Sequence, residues 1–416
     1  MRKKSTVSVS AIILLLGIPS AFAQDSSSLS AGDTAWMLTA TALVLFMTIP
    51  GLALYYGGQV QRKNVLSVLM NCFALTCVMS VVWLIVGYSL SVGESGGGFF
   101  GRGHVFHQGV GREDILESAF RMTFFIFTPA LIIGTFVERM KFSAMLLFSV
   151  LWGLTVFAPI CHITWFGGWF QKAGVVDLAG GIVVHLSAGV AALIACIMVG
   201  KRQNPQPPHN LPMTMMGTAM LWVGWFGFNG GSQGGASDEA SMTLFVTHIS
   251  AATAAIVWAA IEWFTIKKPS VLGIATGAIA GLAAITPASG VAGPMGALLI
   301  GAVSGISCWW ASVRLKAALG YDDSLDVVGV HGVGGLVGTL MVAVVGLGSM
   351  GGFGDKGFAE QLGLQFMGAG FTIVYTAFVT MIILLVTMVV CGGLRVSDSE
   401  EKKGLDQSSH GESAYD

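Results

Sequence analysis

What most restricts this chain is a succession of apolar runs, each long enough or nearly long enough to cross a bilayer. A hydrocarbon core about 30 Å thick takes roughly 20 apolar residues in helical form. Eleven such stretches follow one another, at about 34–57, 65–90, 115–137, 142–163, 179–200, 212–230, 240–266, 271–286, 292–312, 327–348 and 364–391. Lipid offers no partner for a backbone N–H or C=O, so each run must satisfy its own groups as a helix. The expected fold is an all-α polytopic membrane protein with eleven transmembrane helices. Composition leaves little room for another: 54% of the 416 residues are hydrophobic, 10% are charged and the mean hydropathy is +0.75. Soluble domains sit far from those values. A formal net charge of −1 gives nucleic acid no electrostatic footprint.

The first 23 residues read as a signal peptide. Arg2-Lys3-Lys4 supply the cationic start, Ala11 to Ile18 an apolar core too short to span, and Ala21-Phe22-Ala23 a small-residue cleavage site. Export of a mature chain beginning at Gln24 implies a bacterial inner membrane and a periplasmic N-terminus. Cations collect on the side that stays inside. From an external N-terminus, the inward connections and tail hold Arg62, Lys63, Arg139, Lys141, Lys201, Arg202, Lys267, Lys268, Arg314, Lys316, Arg395, Lys402 and Lys403. The outer side holds only Arg102, Arg112, Arg121, Lys172 and Lys356. Removing or adding one span scrambles this alternation. A 24–393 membrane domain and a cytoplasmic tail at 394–416 follow from it.

Eleven divides as five, five and one: halves at about 34–200 and 212–348, then a final helix at about 364–391. The fifth span runs inward and holds His185; the tenth runs outward and holds His331. In inverted repeats related by an axis in the membrane plane, these two spans are equivalent. His185 lies about six residues past the outer end of its span and His331 about five past the inner end of its own, at roughly 1.5 Å per residue. Both are carried toward the midplane from opposite sides, where they can meet. An ionisable side chain inside the bilayer is costly and by default functional. Two facing imidazoles can share one N–H, leave their outer nitrogens for a substrate and carry no charge at rest. The plain alternative for either is a packed residue bonded to a backbone carbonyl, and matching positions in inverted halves weigh against it. His248 lacks such a counterpart and reads as structural.

Asp177 and Asp326 precede the two histidines by eight and five residues. They suit helix caps or dipole partners, with Asp177 also adding negative potential to an outer cation site. Aromatic faces could build that site. Phe120 and Phe124 share a helix face at i and i+4, Trp165 closes the fourth span, and Trp225, Phe226 and Phe228 crowd the outer half of the sixth, with Ser232 just beyond. A ring face attracts a partly desolvated cation by about 2 kcal/mol at most; an interfacial aromatic belt would use the same residue types. Gly230-Gly231-Ser232-Gln233-Gly234 has the spacing of a hydrolase nucleophile elbow, but it follows an apolar helix instead of a strand. His104 and His107 are expected to be solvated in a Gly-rich outer loop. Gly273/Gly277/Gly281, Gly301/Gly305 and Gly334/Gly338 mark close helix packing. Six cysteines without a CxxC pair read as small buried residues. No metal or cofactor is expected, and the chain carries no phosphate-binding loop for an ATP-driven pump.

A longer pattern joins these residues: Thr41-Ala-Leu-Val-Leu-Phe-Met-Thr-Ile-Pro-Gly51, Tyr56-Gly-Gly58, Asp177-Leu-Ala-Gly-Gly-x-Val-Val-His185, Pro208-His-Asn-Leu-Pro212, Gly224-Trp-Phe-Gly-Phe-Asn229, Val330-His-Gly332 and the tail from Gly404 to Tyr415. From about residue 33 onward the chain resembles the ammonium transporters of the Amt/Rh superfamily, and within it the bacterial AmtB type. The resemblance implies a homotrimer whose protomers each have a central pore. It implies ammonium recruitment at Phe120, Trp165 and Ser232 supported by Asp177, and a stacked gate of Phe124 and Phe228. It also implies a twin-His pair of His185 and His331, with Trp225 and Asp326 in structural support. The retained Trp165 is similar to the Amt branch more than to the Rh branch. The tail resembles those that couple to a PII-type signalling protein (the GlnK kind) at the cytoplasmic face. Leu325, Phe127, Pro129 and the loop from Gly93 to Gly111 depart from the common pattern and bear on fine pore dimensions. The implied activity is ammonium transport, with methylammonium as an analogue, and not an enzymatic reaction. The alternative is an ammonium sensor signalling through the PII-type partner.

Overall fold

The computed structural model describes residues 29–415, so the signal-peptide stretch lies outside the described residues. Among the described residues, eleven long helices carry the fold. They are α1 Ala31–Gln59, α2 Arg62–Ser91, α3 Arg112–Ile133, α4 Phe142–Ala173, α5 Gly181–Val199, α6 Leu211–Gly231, α7 Asp238–Ile266, α8 Val271–Ile285, α9 Pro294–Leu319, α10 Val328–Val345 and α11 Phe358–Val390. Nine are long and apolar enough to cross a membrane by length and composition, and α6 and α8 complete the set. The expected spans are present with shifted ends. α3 stops at Ile133 because residues 134–139 leave the helix as turns, and α11 starts at Phe358, well before the expected 364.

α8 is the shortest, and from Ala275 to Ile285 every residue is buried. An apolar helix covered on all sides belongs inside a bundle. Small residues make that position possible. A Cβ on Gly277 would lie 2.7 Å from the Trp258 Cβ and one on Gly281 2.8 Å from the Ala251 Cα, so α8 lies almost backbone to backbone on α7. One on Gly305 would lie 3.0 Å from the Ala254 carbonyl, which brings α9 onto α7 as well. The expected glycine faces are packing faces. The cysteines fit less uniformly: Cys72, Cys161, Cys196 and Cys308 are buried, but Cys77 is exposed and Cys391 half-buried.

Charges concentrate at the helix ends on the tail side. Arg139 is fully buried, donating to the Gly200 carbonyl at 2.7 Å, the Asp322 carbonyl at 2.6 Å and Ser324 Oγ at 2.7 Å. Arg202 pairs with Glu138 at 2.9 Å and Asp322 at 2.7 Å. Burial alone would raise the Asp322 carboxyl, but its hydrogen bonds and ion pair with Arg202 hold it at about 2. A short helix, α12 Asp398–Lys403, opens the tail with a capping box between Ser397 and Glu400. The tail is stitched to this charged face. Arg395 pairs with Glu401 at 2.6 Å, the Leu405 N–H donates to Asn64 Oδ1 at 2.8 Å, and Tyr415 Oη meets His209 Nε2 at 3.0 Å.

Candidate pore and its entrance

α5 and α10 both open with a widened turn. Gly181–Leu186 holds His185 and Val328–Gly332 holds His331. The His185 N–H donates back five residues to the Gly180 carbonyl at 2.9 Å. Such turns recur at functional sites because they rotate a side chain out of helical register. Glycines then let the two backbones meet. A Cβ on Gly332 would lie 3.2 Å from the Gly189 Cα, and one on Gly335 2.9 Å from the His185 Cβ. His185 Nδ1 and His331 Nδ1 are 3.2 Å apart, with ring centres 5.2 Å apart and planes 17° from parallel. One Nδ1 donates and the other accepts. The two Nε2 atoms are then unlike: the donor ring presents an acceptor and the acceptor ring presents an N–H. His185 Nε2 is buried without a partner of its own.

Aromatic rings continue this line. Trp225 stacks on His185 at 5.2 Å and is anchored by its Nε1, which donates to Thr286 Oγ1 at 2.9 Å. Phe228 stacks on Phe124 at 4.2 Å and 23°, and both rings have no exposed surface, so the path is shut between them. Phe124 meets Phe120 edge-on at 5.1 Å and Trp165 at 5.9 Å. Phe127 packs edge-on against Phe228 at 5.7 Å and Trp225 at 6.3 Å. It therefore braces the stacked pair from the side.

The entrance lies at the helix ends away from the tail. Trp165 Nε1 donates to the Asp177 carbonyl at 2.7 Å where α4 breaks at Phe166. Ser232 caps α6 and its Oγ donates to the Phe228 carbonyl at 2.9 Å, which leaves oxygen lone pairs free and shows the elbow-like spacing to be a helix end. A hollow of about 360 Å³ is lined by Trp165, Ser232, Asp177 and Arg121; a second of about 480 Å³ is lined by Phe120, Glu117 and the same Arg121.

Asp177 is not a free carboxylate here. Its two oxygens accept from the N–H groups of Gly180, Gly181, Ile182 and Val183 at 2.8, 2.6, 2.8 and 3.1 Å. It closes the start of α5 and reaches the entrance only through its carbonyl on Trp165. The counterpart in the second half is Asp323, not Asp326. Asp323 precedes His331 by eight residues, as Asp177 precedes His185, and it is buried with Oδ2 accepting from the Val328 N–H at 2.7 Å. Asp326 has φ +60° and forms a half-buried ion pair with Lys316. The equal spacing of eight residues is the signal in the sequence that marks Asp323.

Other residues carry weight that their sequence context hides. Gln365 of α11 accepts from the Val176 N–H at 2.9 Å and donates to the Val176 and Thr339 carbonyls at 2.8 and 3.0 Å, pinning the segment before Asp177. His104 and His107 are not simply solvated. His107 Nε2 meets Ser118 Oγ at 2.7 Å and its ring lies 4.5 Å from Tyr88, so the outer loop is pinned to α2 and α3. His248 sits against Trp222 and Phe226, away from the pair. Among the described residues no group of His, Cys, Asp and Glu is disposed to hold a metal ion.

An eleven-helix membrane bundle with a closed, ring-lined path to two paired imidazoles has the architecture of a transporter or channel for a very small solute. Residues 35–415 match the profile of the Ammonium Transporter Family. An ammonium transporter of Aquifex aeolicus is 42% identical over 415 residues, covering 97% of this chain and 98% of that one. Ammonium transporter Amt1 of Archaeoglobus fulgidus is 42% identical over 395 residues, covering 93% of this chain and 100% of its own. Among solved structures, a sensor Amt protein superposes with a TM-score of 0.84 at 29% identity, over 91% of this chain and 98% of that one. Mep2 of Saccharomyces cerevisiae gives 0.81 at 31%, over 89% and 91%. The chain belongs to the ammonium transporter family.

Proposed function

We propose that the protein takes up ammonium at Trp165, Phe120 and Ser232, strips one proton there, and conducts neutral ammonia past Phe124 and Phe228 and along His185 and His331. The observation that carries this reading is the 3.2 Å contact between the two Nδ1 atoms, directly behind a shut pair of rings. A bare ammonium ion would lose several kcal/mol on leaving water for an apolar path, even after relaxation. Ammonia does not bear that cost. Its lone pair accepts from one Nε2–H and its N–H donates to the other Nε2. The proton passes to water in the outer mouth and either stays outside or follows separately through the imidazole pair, and the ammonia takes up a proton from water on the far side. Potassium can neither shed a proton nor donate a hydrogen bond and is rejected. The bias of cations toward the tail side supports a cytoplasmic tail, a periplasmic N-terminus after removal of residues 1–23, and an inner-membrane location. Family resemblance supports a homotrimer and a PII-type partner at the tail face.

Uptake of labelled methylammonium into proteoliposomes tests the pair. Replacing both His185 and His331 with leucine should abolish or strongly reduce it; uptake equal to the unmodified protein would refute the mechanism. Current recorded on the same vesicles as ammonium is applied separates the two proton routes, since clear uptake at zero current excludes the charged version. A second reading, ammonium sensing, is favoured by the tail's bonds to Asn64 and His209 and by the likeness to a sensor Amt protein. Deleting residues 394–416 decides between them. Transport that survives while PII-type recruitment is lost assigns the tail to regulation.

A further inference from the structure

The entrance already contains a cation. Arg121 follows Phe120 on α3 with its side chain 15% exposed, and its guanidinium carbon lies 5.0 Å from the Trp165 ring centre, 5.5 Å from Phe120 and 5.4 Å from Phe166. The ring faces that would attract ammonium are therefore in use. Its polar contacts are poor by comparison. Nε is 3.7 Å from Glu117 Oε1, and neither Nε nor Nη1 has a hydrogen-bond partner or contact with solvent. Buried N–H donors left unmade are costly, so this pose rests on the rings and is easily left. There is also somewhere to go. Arg121 lines both hollows, and the larger one carries three carboxylates, Glu113, Asp114 and Glu117, against one other cation, Arg112. Swinging that way would hydrate the orphaned donors and pair the guanidinium with carboxylates.

We infer that Arg121 is a tethered competitor for the entrance site: a small monovalent ammonium cation binds at Trp165 only as the guanidinium moves off the rings into the acidic hollow. This rests on the recruitment of ammonium proposed above. Two positive charges about 5 Å apart repel strongly at a partly desolvated site, so bound ammonium and ring-stacked Arg121 exclude each other. The effect falls on the concentration needed for half-maximal uptake and spares the maximal rate, because Arg121 stands before the Phe124–Phe228 gate.

The test is a concentration series of labelled methylammonium uptake by full-length protein in proteoliposomes. Arg121→Gln and Arg121→Met should each lower the half-saturating concentration about tenfold, with the maximal rate unchanged. Arg121→Lys, which keeps the charge, should stay near the unmodified value. An unchanged or higher half-saturation in the glutamine and methionine variants would overturn the inference. So would an equal fall in all three, which would mark a steric effect. If the unmodified protein itself moves no methylammonium, the transport reading fails and this inference fails with it.

Discussion

Substituting Gly335 with alanine should uncouple the two histidines without touching either one. An added Cβ would sit 2.7 Å from the Leu186 N, 2.8 Å from the Gly181 carbonyl oxygen and 2.9 Å from the His185 Cβ. Ordinary contact distances are roughly 3.5–4.0 Å, and two of the three atoms are backbone, which cannot rotate aside. α5 and α10 must therefore part by about 1 Å, at an overpacking cost of about 1–3 kcal/mol. Carried through to the imidazoles, that displacement stretches the 3.2 Å Nδ1–Nδ1 contact toward about 4 Å, beyond hydrogen-bond reach. The side chains of Phe120, Trp165 and Ser232 lie on α3, α4 and the end of α6, so half-saturation for methylammonium should change less than the maximal rate, which drops by about tenfold or more, in line with the loss of positioning. Gly363→Ala on α11 is the control, because its added Cβ would meet open space; it should transport normally. Gly335→Ala with unimpaired maximal uptake would refute the argument that glycine-mediated approach of these helices sets the pair.

Three further outcomes follow from the packing and the charges. Phe228→Ala should cost about 3–5 kcal/mol of stability, measured by thermal unfolding in detergent, and should raise uptake of ethylammonium relative to methylammonium by removing one face of the gate. Arg202→Met leaves Glu138 and Asp322 without their cation and should destabilise the protein by about 3–5 kcal/mol; an unchanged melting temperature would show that Arg139 alone suffices. Burial, reinforced by neighbouring Asp326, pushes the Asp323 carboxyl up to about 6. A raised value means that its stabilising share is complete below the ordinary carboxylate value of about 3.9 and is lost as pH rises through about 6. Asp323→Asn should therefore flatten the pH dependence of unfolding between about pH 4 and 7, and a persisting slope would exclude Asp323 as its source.

Part of the candidate site is legible in the sequence, and what is hidden there has a common origin. His185 and His331 are legible as a pair because the expected inverted halves give each residue's depth, whereas Phe124 and Phe228 are joined only by the family resemblance. Arg121 was counted only as an outer cation, since nothing in a linear chain reveals that its neighbours in space are Trp165 and Phe166. Asp326 stands nearer to His331 than Asp323 does, but nearness along the chain is a poor guide to which carboxylate turns inward. A positive φ at Asp326 aims its side chain at Lys316, whereas Asp323 turns back onto the Val328 N–H. His107 looked solvated because its loop is polar; its ring is held by Ser118 and Tyr88, which are eleven residues or more away.

By itself, then, the order of residues determined an all-helical membrane fold and set the expected direction of each span and the expected pairing of two halves. Those properties depend on local facts: apolar length against bilayer thickness, and where cations fall between runs. Tertiary structure alone decided how close the histidines come, because that distance is set by glycine contacts between α5 and α10 that are far apart in sequence. It alone decided that Asp177 spends both oxygens on backbone N–H groups. It also decided that the ring faces at the entrance already hold a guanidinium. In each case the deciding quantity is a distance of a few ångströms between segments, which no local pattern encodes.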